Sequence, residues 1–250
     1  MEQAAEKRRN PALAWLKEIG IIVVVALLLS FLIKTFLFRA FYIPSTSMED
    51  TLEVNDRIFV NLLVPQPIGL ERGDVVVFRD DLGWLPANGA SNDGGNWFQQ
   101  ALTFVGLLPD SSEQHLVKRV IGIGGDRVVC CDADGRITVN GAALEEPYLH
   151  PDSTNESQPF DVMVPDGKIW VMGDNRNHSA DSREHRDEAS GGFIDLDAVE
   201  GKAAVIAWPL DRMGVIGNYP EVFDTVPPTE GGGSAPANTP SGRSEQEGAE

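Results

Sequence analysis

The stretch Leu116–Gly122, with the sequence LVKRVIG, decides the fold class of this 250-residue chain. Its valine and isoleucine residues favour a β-strand, and a glycine closes it. Side chains in a strand alternate between two faces, so Leu116, Lys118 and Val120 share one face and Arg119 lies on the other. Lys118 is then either an edge-strand lysine that reaches solvent or a buried amine whose pKa is lowered, since burial disfavours its charged form.

Short runs of the same kind lie on both sides of this stretch. They are rich in Val and Ile and are bounded by Gly, Asp, Asn and Pro, with turn signals at Asp134-Gly135 and Asn140-Gly141. No long amphipathic helix pattern competes with them, so we predict an all-β domain. The predicted strands are Arg57–Leu62, Asp74–Phe78, Leu116–Ile121, Arg127–Cys131, Arg136–Val139, Ile169–Met172 and Ala203–Trp208.

An apolar run, Ile19–Phe41, precedes the predicted strands. As a helix its length is roughly 35 Å, enough to cross a hydrocarbon core of about 30 Å. Cationic residues before the run favour a cytoplasmic N-terminus, which places the rest of the chain outside the cytoplasm. A buried core helix and a cleaved signal peptide are the alternatives, although the run ends without an A-x-A site. The cationic residues are Lys7, Arg8, Arg9 and Lys17.

Four segments follow from these patterns. Residues 80–112 are interpreted as an insertion, since a polar glycine- and asparagine-rich stretch is followed there by the apolar run Phe98–Leu108. The C-terminal residues are dominated by Pro, Gly, Ser, Thr, Ala and Glu, so we expect a disordered tail. The expected segments are a cytoplasmic N-terminus (1–18), a transmembrane anchor (19–41), an extracytoplasmic β-rich domain (42–224) and the tail (225–250).

Charge and cysteine content exclude or leave open other classes of protein. The formal net charge of -18 argues against a nucleic-acid-binding protein, which needs a basic face to contact phosphates. The two cysteines, Cys130 and Cys131, are adjacent and lack the spacing of metal ligands. Free thiols on a strand and a disulfide between neighbours are both compatible with the sequence.

Two serines follow the apolar run in Ile43–Leu52, with the sequence IPSTSMEDTL. Serines near a membrane exit are often turn or cap residues, but a serine nucleophile needs a nearby base. Of the three lysines after the span, Lys168 and Lys202 each follow a glycine in a predicted turn, whereas Lys118 lies inside a predicted strand. Lys118 is therefore the lysine best suited to take a proton from Ser45 or Ser47 near neutral pH.

A polar stretch, Gly173–Arg183 with the sequence GDNRNHSADSR, follows a predicted apolar strand. Loops held by a rigid scaffold often carry binding and catalytic groups, although a solvated polar loop has the same composition. His178, Ser179 and Asp181 also suggest a Ser-His-Asp hydrolase.

Together these stretches resemble the type I signal peptidases, the lysine-dependent serine peptidases of bacterial membranes. The resemblance extends from about Phe41 to Arg183 and preserves the order of several motifs, which makes it specific. The matching segments are Ile43–Leu52, Asp56-Arg57, Arg72–Phe78, Lys118–Asp126 and Gly173–Arg183.

The resemblance implies an antiparallel β-sheet catalytic domain and a role for each matching residue. Ser47 is implied as the nucleophile and Lys118 as its general base, with an oxyanion hole from the Ser45 hydroxyl and the Ser47 backbone N–H. Ser179 is implied to hold the lysine by a hydrogen bond. Asp181 and Arg183 are implied to fix the loop, and Ile43 and Met48 to border the pockets for small substrate residues.

The implied activity is that of a membrane-bound serine endopeptidase. It removes N-terminal signal peptides from exported preproteins after small residues, at A-x-A sites, through an acyl-enzyme. Preproteins and membrane lipid are the implied partners, and no cofactor, metal or nucleic acid is implied. A self-cleaving repressor-type peptidase, a membrane-tethered β-domain that only binds partners, and a Ser-His-Asp hydrolase are the competing hypotheses.

Overall fold

Helix α1 spans Pro11–Phe36 in the computed structural model, which describes residues 11–85, 115–155 and 158–228. A proline at the first position suits a helix start, because its missing N–H would have no partner there. The segment Trp15–Leu32 has a mean hydropathy of 2.2, and none of it is buried against the rest of the chain. The helix is thus long and apolar enough to cross a membrane, and a buried core helix is ruled out.

The predicted span was wrong at its C-terminal end. The helix ends at Phe36, and Phe38–Tyr42 forms strand β1 instead of continuing the helix to Phe41. This strand pairs antiparallel with β2, Arg57–Asn61, in the register Phe38 with Asn61 and Tyr42 with Arg57. The ladder therefore satisfies the β1 backbone groups that face β2, and the β-domain begins before residue 42.

The main sheet has eight strands in the order β1-β2-β11-β3-β4-β9-β10, with β12 paired to β11. Every pair in it is antiparallel, which confirms the predicted all-β, antiparallel fold class. Strand β4 lies between β3 and β9, inside the sheet. The further strands are β3 Val75–Arg79, β4 His115–Ile123, β9 Lys168–Met172, β10 Ile194–Asp195, β11 Val199–Trp208 and β12 Gly214–Val215.

A second, four-stranded antiparallel sheet has the order β7-β6-β5-β8. Its inward side chains share a core with Trp170 of β9, which is fully buried and packs 5.1 Å from the Phe160 ring. The four strands are β5 Arg127–Cys130, β6 Ile137–Val139, β7 Ala142–Ala143 and β8 Phe160–Met163. Short 3-10 turns lie at Arg176–His178, Leu196–Ala198, Leu210–Arg212 and Pro220–Phe223.

All seven predicted strands are present, with ends that differ by a few residues. The largest difference is in β11, which starts at Val199 rather than Ala203 because Val199–Lys202 pair with β3. Strands β7, β10 and β12 have two residues each, too few for a visible alternation of apolar and polar residues.

The domain also continues beyond residue 224. Val226 is buried in the core shared by the two sheets, and the Pro227 carbonyl accepts a hydrogen bond from the Asn140 side chain at 3.1 Å. The predicted tail therefore cannot begin at residue 225. Residues 229–250, like most of the predicted insertion at 80–112, lie outside the described residues, and those predictions are untested.

Cys130 and Cys131, which the sequence left open between free thiols and a disulfide, are bonded to each other. Cys130 is buried at the end of β5, and Cys131 packs against the same core.

Candidate active site

Lys118 lies within β4, which is flanked by β3 and β9. It lies opposite Val76 of β3, and only 3% of the residue is exposed. Leu116 and Val120, on the same face of the strand, belong to one hydrophobic cluster, whereas Val117 packs against another. Of the two environments considered for Lys118, the structure shows the buried one.

The Lys118 amine reaches the Ser47 hydroxyl. The distance from Lys118 Nζ to Ser47 Oγ is 2.6 Å, and Ser47 is itself buried. Burial lowers the pKa of Lys118 from 10.5 to about 8, against the opposing effect of the Asp181 and Asp174 carboxylates. A substantial fraction of the amine is therefore neutral near pH 8, as a general base requires.

Ser45 and Ser47 lie together on the turn after β1. Their Oγ atoms are 3.3 Å apart, and Ser45 is exposed. Within residues 11–85, 115–155 and 158–228, no acceptor is paired with the Ser47 backbone N–H. The Ser45 hydroxyl thus lies beside Ser47 Oγ, and either hydroxyl can be the donor in that contact. The oxyanion hole expected from the Ser45 hydroxyl and the Ser47 N–H stays a prediction.

The polar loop Gly173–Arg183 is organised around Asp181, which is fully buried. Its carboxylate accepts hydrogen bonds from Ser179 Oγ at 2.7 Å, the Gly173 N–H at 3.0 Å and Arg183 Nε at 2.9 Å. Burial raises the pKa of Asp181, but the Arg183 guanidinium and these donors outweigh it and bring the pKa below its ordinary value. Asp181 is therefore an anion that holds three parts of the loop in place.

Ser179 differs in one respect from the sequence-based expectation. Its hydroxyl donates to Asp181, and in the described part of the chain Lys118 Nζ has Ser47 Oγ as its hydrogen-bond partner. The expected hydrogen bond between Ser179 and Lys118 is thus not formed. Ser179 still borders the pair, because a Cβ at Gly173 would lie 2.2 Å from Ser179 Oγ and 2.4 Å from the Ser47 carbonyl oxygen.

Ile43 and Met48 pack beneath the serine turn. They are 2% and 1% exposed, and both belong to a hydrophobic cluster that includes Val60 and Ile206. Little of either surface is open to a substrate, and their main observed contacts are with the core. Their place at the edge of substrate pockets stays a prediction.

His178 does not form the chain of contacts that a Ser-His-Asp hydrolase requires. Its side chain is exposed, and its Nδ1 atom lies 3.3 Å from the Asn175 side-chain oxygen. Ser179 donates to Asp181 directly, without an intervening imidazole. The loop therefore lacks the geometry of such a triad.

A buried ion pair beside the two reactive side chains was not predicted from the sequence. Arg119 and Asp174 are both fully buried and are joined by two hydrogen bonds, of 2.9 and 2.7 Å. The guanidinium carbon of Arg119 also lies 4.0 Å from the centre of the Tyr148 ring, and Thr51 Oγ1 donates to Asp174 at 2.5 Å. The alternation of Lys118 and Arg119 in β4 was the available signal, but the partner could not be identified from it.

Comparisons with known proteins identify a family to which this chain is similar. Residues 14–208 match the family described as "Signal peptidase, peptidase S26". The chain is 41% identical over 229 residues to signal peptidase I of Mycobacterium tuberculosis, covering 80% of this chain and 75% of that protein. It is 31% identical over 221 residues to signal peptidase I of Bacillus licheniformis, covering 85% and 97% of the two chains.

A solved structure of a signal peptidase I from Enterococcus faecalis is also similar, with 27% identity and a TM-score of 0.34. The match covers 53% of this chain and 95% of that one.

Proposed function

The chain belongs to the signal peptidase family, peptidase S26, and from that premise we propose that it cleaves signal peptides from exported preproteins with a Ser47–Lys118 dyad. Members of this family are serine peptidases and hence hydrolases. The proposed cleavage follows small residues at A-x-A sites. No metal or cofactor takes part in the proposed chemistry.

The observation that carries the proposal is the 2.6 Å distance between Lys118 Nζ and Ser47 Oγ in a buried environment. Neutral Lys118 takes the hydroxyl proton as Ser47 Oγ attacks the scissile carbonyl carbon. The developing oxyanion accepts hydrogen bonds from the Ser47 N–H and the Ser45 hydroxyl. The tetrahedral intermediate collapses as the protonated lysine gives its proton to the leaving amine, and an ester on Ser47 remains.

Hydrolysis of this acyl-enzyme uses the same base. After the amine product has left, a water molecule enters the site. It gives a proton to neutral Lys118 and attacks the ester carbonyl. The second tetrahedral intermediate then releases the carboxylic acid, here the end of the signal peptide, as the proton returns to Ser47. Asp181 and Arg183 support both steps by holding the Gly173 and Ser179 side of the site.

We also propose that α1 anchors the chain in a membrane as a single span, with the β-domain outside the cytoplasm. The cationic residues before the helix favour this orientation. Apolar side chains at the β11–β12 edge are largely exposed, which suits a face that lies against lipid. They are Trp208, Leu210, Met213 and Val215.

Anchoring would help catalysis because a signal peptide also carries an apolar segment, and its cleavage site follows that segment. Enzyme and substrate tethered to one membrane meet at a raised effective concentration. The proposed segments are a cytoplasmic end, the span, the extracytoplasmic domain and the tail, with the corrected boundaries given above.

Cleavage of a preprotein with an A-x-A site by the detergent-solubilised chain tests the proposed activity. We expect mass spectrometry to find one cut, directly after the A-x-A residues, and none with the Ser47→Ala variant. Ser190→Ala, which changes a serine near Gly192 on another loop, is a matched control and should be as active as the original chain. Equal cleavage by Ser47→Ala would contradict the proposed nucleophile.

Protease treatment of intact spheroplasts tests the orientation. An external protease should degrade the β-domain and leave a short membrane-protected fragment that contains α1. A β-domain that is degraded only after lysis would contradict the proposed orientation.

A further inference from the structure

We propose that Asn175 is a positioning residue, which fixes the nucleophile loop, residues 45–52, through hydrogen bonds to Ser47 and Glu49. The inference rests on the proposed function, because it matters for the reaction only if Ser47 is the nucleophile. It adds a residue of the polar loop that is not among the hydrogen-bond partners of Lys118 or Asp181 in the part of the chain that the structure describes.

Asn175 contacts the nucleophile loop at two points. Its backbone N–H donates to the Ser47 carbonyl oxygen at 3.1 Å, and its side-chain Nδ2 donates to Glu49 Oε2 at 3.1 Å. Asn175 is 1% exposed, so water cannot easily replace these partners. Two contacts that are two residues apart restrict rotation of the turn that presents the Ser47 hydroxyl.

Asn175 is itself tied to the strand that carries the lysine. Its neighbour Asp174 forms the buried ion pair with Arg119, which directly follows Lys118 in β4. A short, buried path therefore runs from Lys118 through Arg119 and Asp174 to Asn175, and from there to Ser47. This path fixes the nucleophile relative to the base, two groups that distant parts of the chain contribute.

The second contact depends on an amide facing a carboxylate. Glu49 is partly exposed and offers acceptors only, so a donor is required at position 175. The other polar atom of the Asn175 side chain, Oδ1, lies 3.3 Å from His178 Nδ1. Replacing the amide with a carboxylate keeps the size and the possible contact to His178, but places two acceptors and two negative charges against each other.

Steady-state cleavage of the A-x-A preprotein by the full detergent-solubilised chain tests the inference. Asn175→Asp should lower kcat about 30-fold with little change in KM, because small displacements of a nucleophile can cost on the order of 100-fold. Adding Glu49→Gln should restore kcat to within about 5-fold of the original chain, since the glutamine amide can donate to the new carboxylate.

Glu49→Ala removes the acceptor without adding charge and is a second, independent variant. It should lower kcat about 5-fold at unchanged KM, since the backbone contact of Asn175 remains. This variant keeps the inference testable if Asn175→Asp does not fold.

Asn140→Asp is the matched control. Asn140 lies in the turn between β6 and β7, and its Nδ2 atom donates to Asp126 Oδ1 at 2.8 Å. The substitution thus also places a carboxylate against a carboxylate outside the nucleophile loop, here one that is paired with Arg72. We expect Asn140→Asp to have a lower melting temperature and an unchanged kcat. For Asn175→Asp, kcat should fall by more than the decrease in the fraction of folded protein explains.

The inference would be overturned if Asn175→Asp had the same kcat as the original chain. It would also be overturned if the double variant Asn175→Asp, Glu49→Gln were no faster than Asn175→Asp, or if Asn140→Asp lost as much kcat as Asn175→Asp. Ser47→Ala, assayed in parallel, separates this failure from failure of the proposed function. If Ser47→Ala is inactive and Asn175→Asp has original kcat, only the positioning role is wrong. If Ser47→Ala retains full activity, the proposed nucleophile and the positioning role are both wrong.

Discussion

Lys118 Nζ lies 2.6 Å from Ser47 Oγ, although the two residues are 71 positions apart in the chain. The interior of the main sheet buries the lysine, and a turn after the edge strand β1 carries the serine. The rate of the proposed cleavage should depend on the protonation state of Lys118, on the burial of its amine and on the packing of the loops that hold Ser47 in place.

The first prediction concerns pH. The base must be neutral, and the pKa of Lys118 is lowered to about 8, so the rate should fall as pH drops below that value. We expect kcat/KM for preprotein cleavage to decrease about tenfold per pH unit on the acidic side, with a midpoint near pH 8. Constant kcat/KM down to pH 5, in protein shown to stay folded, would argue against a lysine base.

The second prediction concerns stability. The folded-state pKa of Lys118, about 8, is below its ordinary 10.5, so the buried charge destabilises the protein below pH 8 and the cost disappears between pH 8 and 10.5. Lys118→Met should therefore raise the free energy of unfolding at pH 7 by up to roughly 3 kcal/mol while abolishing cleavage. Denaturant titrations of Lys118→Met and of the original chain, at pH 7 and at pH 10.5, measure the difference in unfolding free energy with and without the cost of the buried charge.

Lys168→Met is the control for that substitution, since Lys168 forms an ion pair with Asp195 on the surface. We expect a change in unfolding free energy within about 0.5 kcal/mol and normal cleavage. A destabilised Lys118→Met at pH 7 would show that the lysine contributes more through its contacts than its burial costs.

The third prediction concerns Gly173. An added Cβ would lie 2.2 Å from Ser179 Oγ and 2.4 Å from the Ser47 carbonyl oxygen, too close for either to remain in place. Gly173→Ala should lower kcat/KM at least about 100-fold. Gly69→Ala is the control, because a Cβ at Gly69 meets nothing within 4 Å. Near-normal cleavage by Gly173→Ala would mean that the site tolerates a displaced serine.

The fourth prediction concerns Ser45. If its hydroxyl donates to the oxyanion, Ser45→Ala should lower kcat by about 100-fold and leave KM nearly unchanged. Ser45→Thr keeps the hydroxyl and should recover most of the activity. Similar kcat values for both variants, with a raised KM for the alanine variant, would instead indicate a role in substrate binding.

The main strands could be predicted from the sequence because each carries its own signal. The run LVKRVIG is apolar, β-branched and closed by glycine, and it appears as the central strand β4. The end of the apolar helix α1 could not be predicted in the same way. Leu37, Phe38 and Phe41 are as apolar as the helix before them, and only pairing with β2 shows that they leave it.

In the candidate site too, features with a local sequence signal could be predicted, whereas contacts between distant parts of the chain could not. Serines, lysine and the polar loop are recognisable from local sequence and from the order of the motifs. The partners of Asp174 and Asn175 could not be recognised, because Arg119, Thr51 and Glu49 are distant in sequence and contact them only in the folded structure. The burial of Val226 in the core was missed for the same reason, since its core contacts are remote in sequence.

A double-mutant cycle on preprotein cleavage tests the central claim most directly. Ser47→Ala, Lys118→Ala and the double variant are compared with the original chain by kcat/KM at pH 8.5, with folding checked for each. If Ser47 and Lys118 act as one unit, each single variant should lose at least about 1,000-fold, and the double variant should be no slower than either. Substantial activity in Lys118→Ala, or losses that multiply in the double variant, would contradict the proposed dyad.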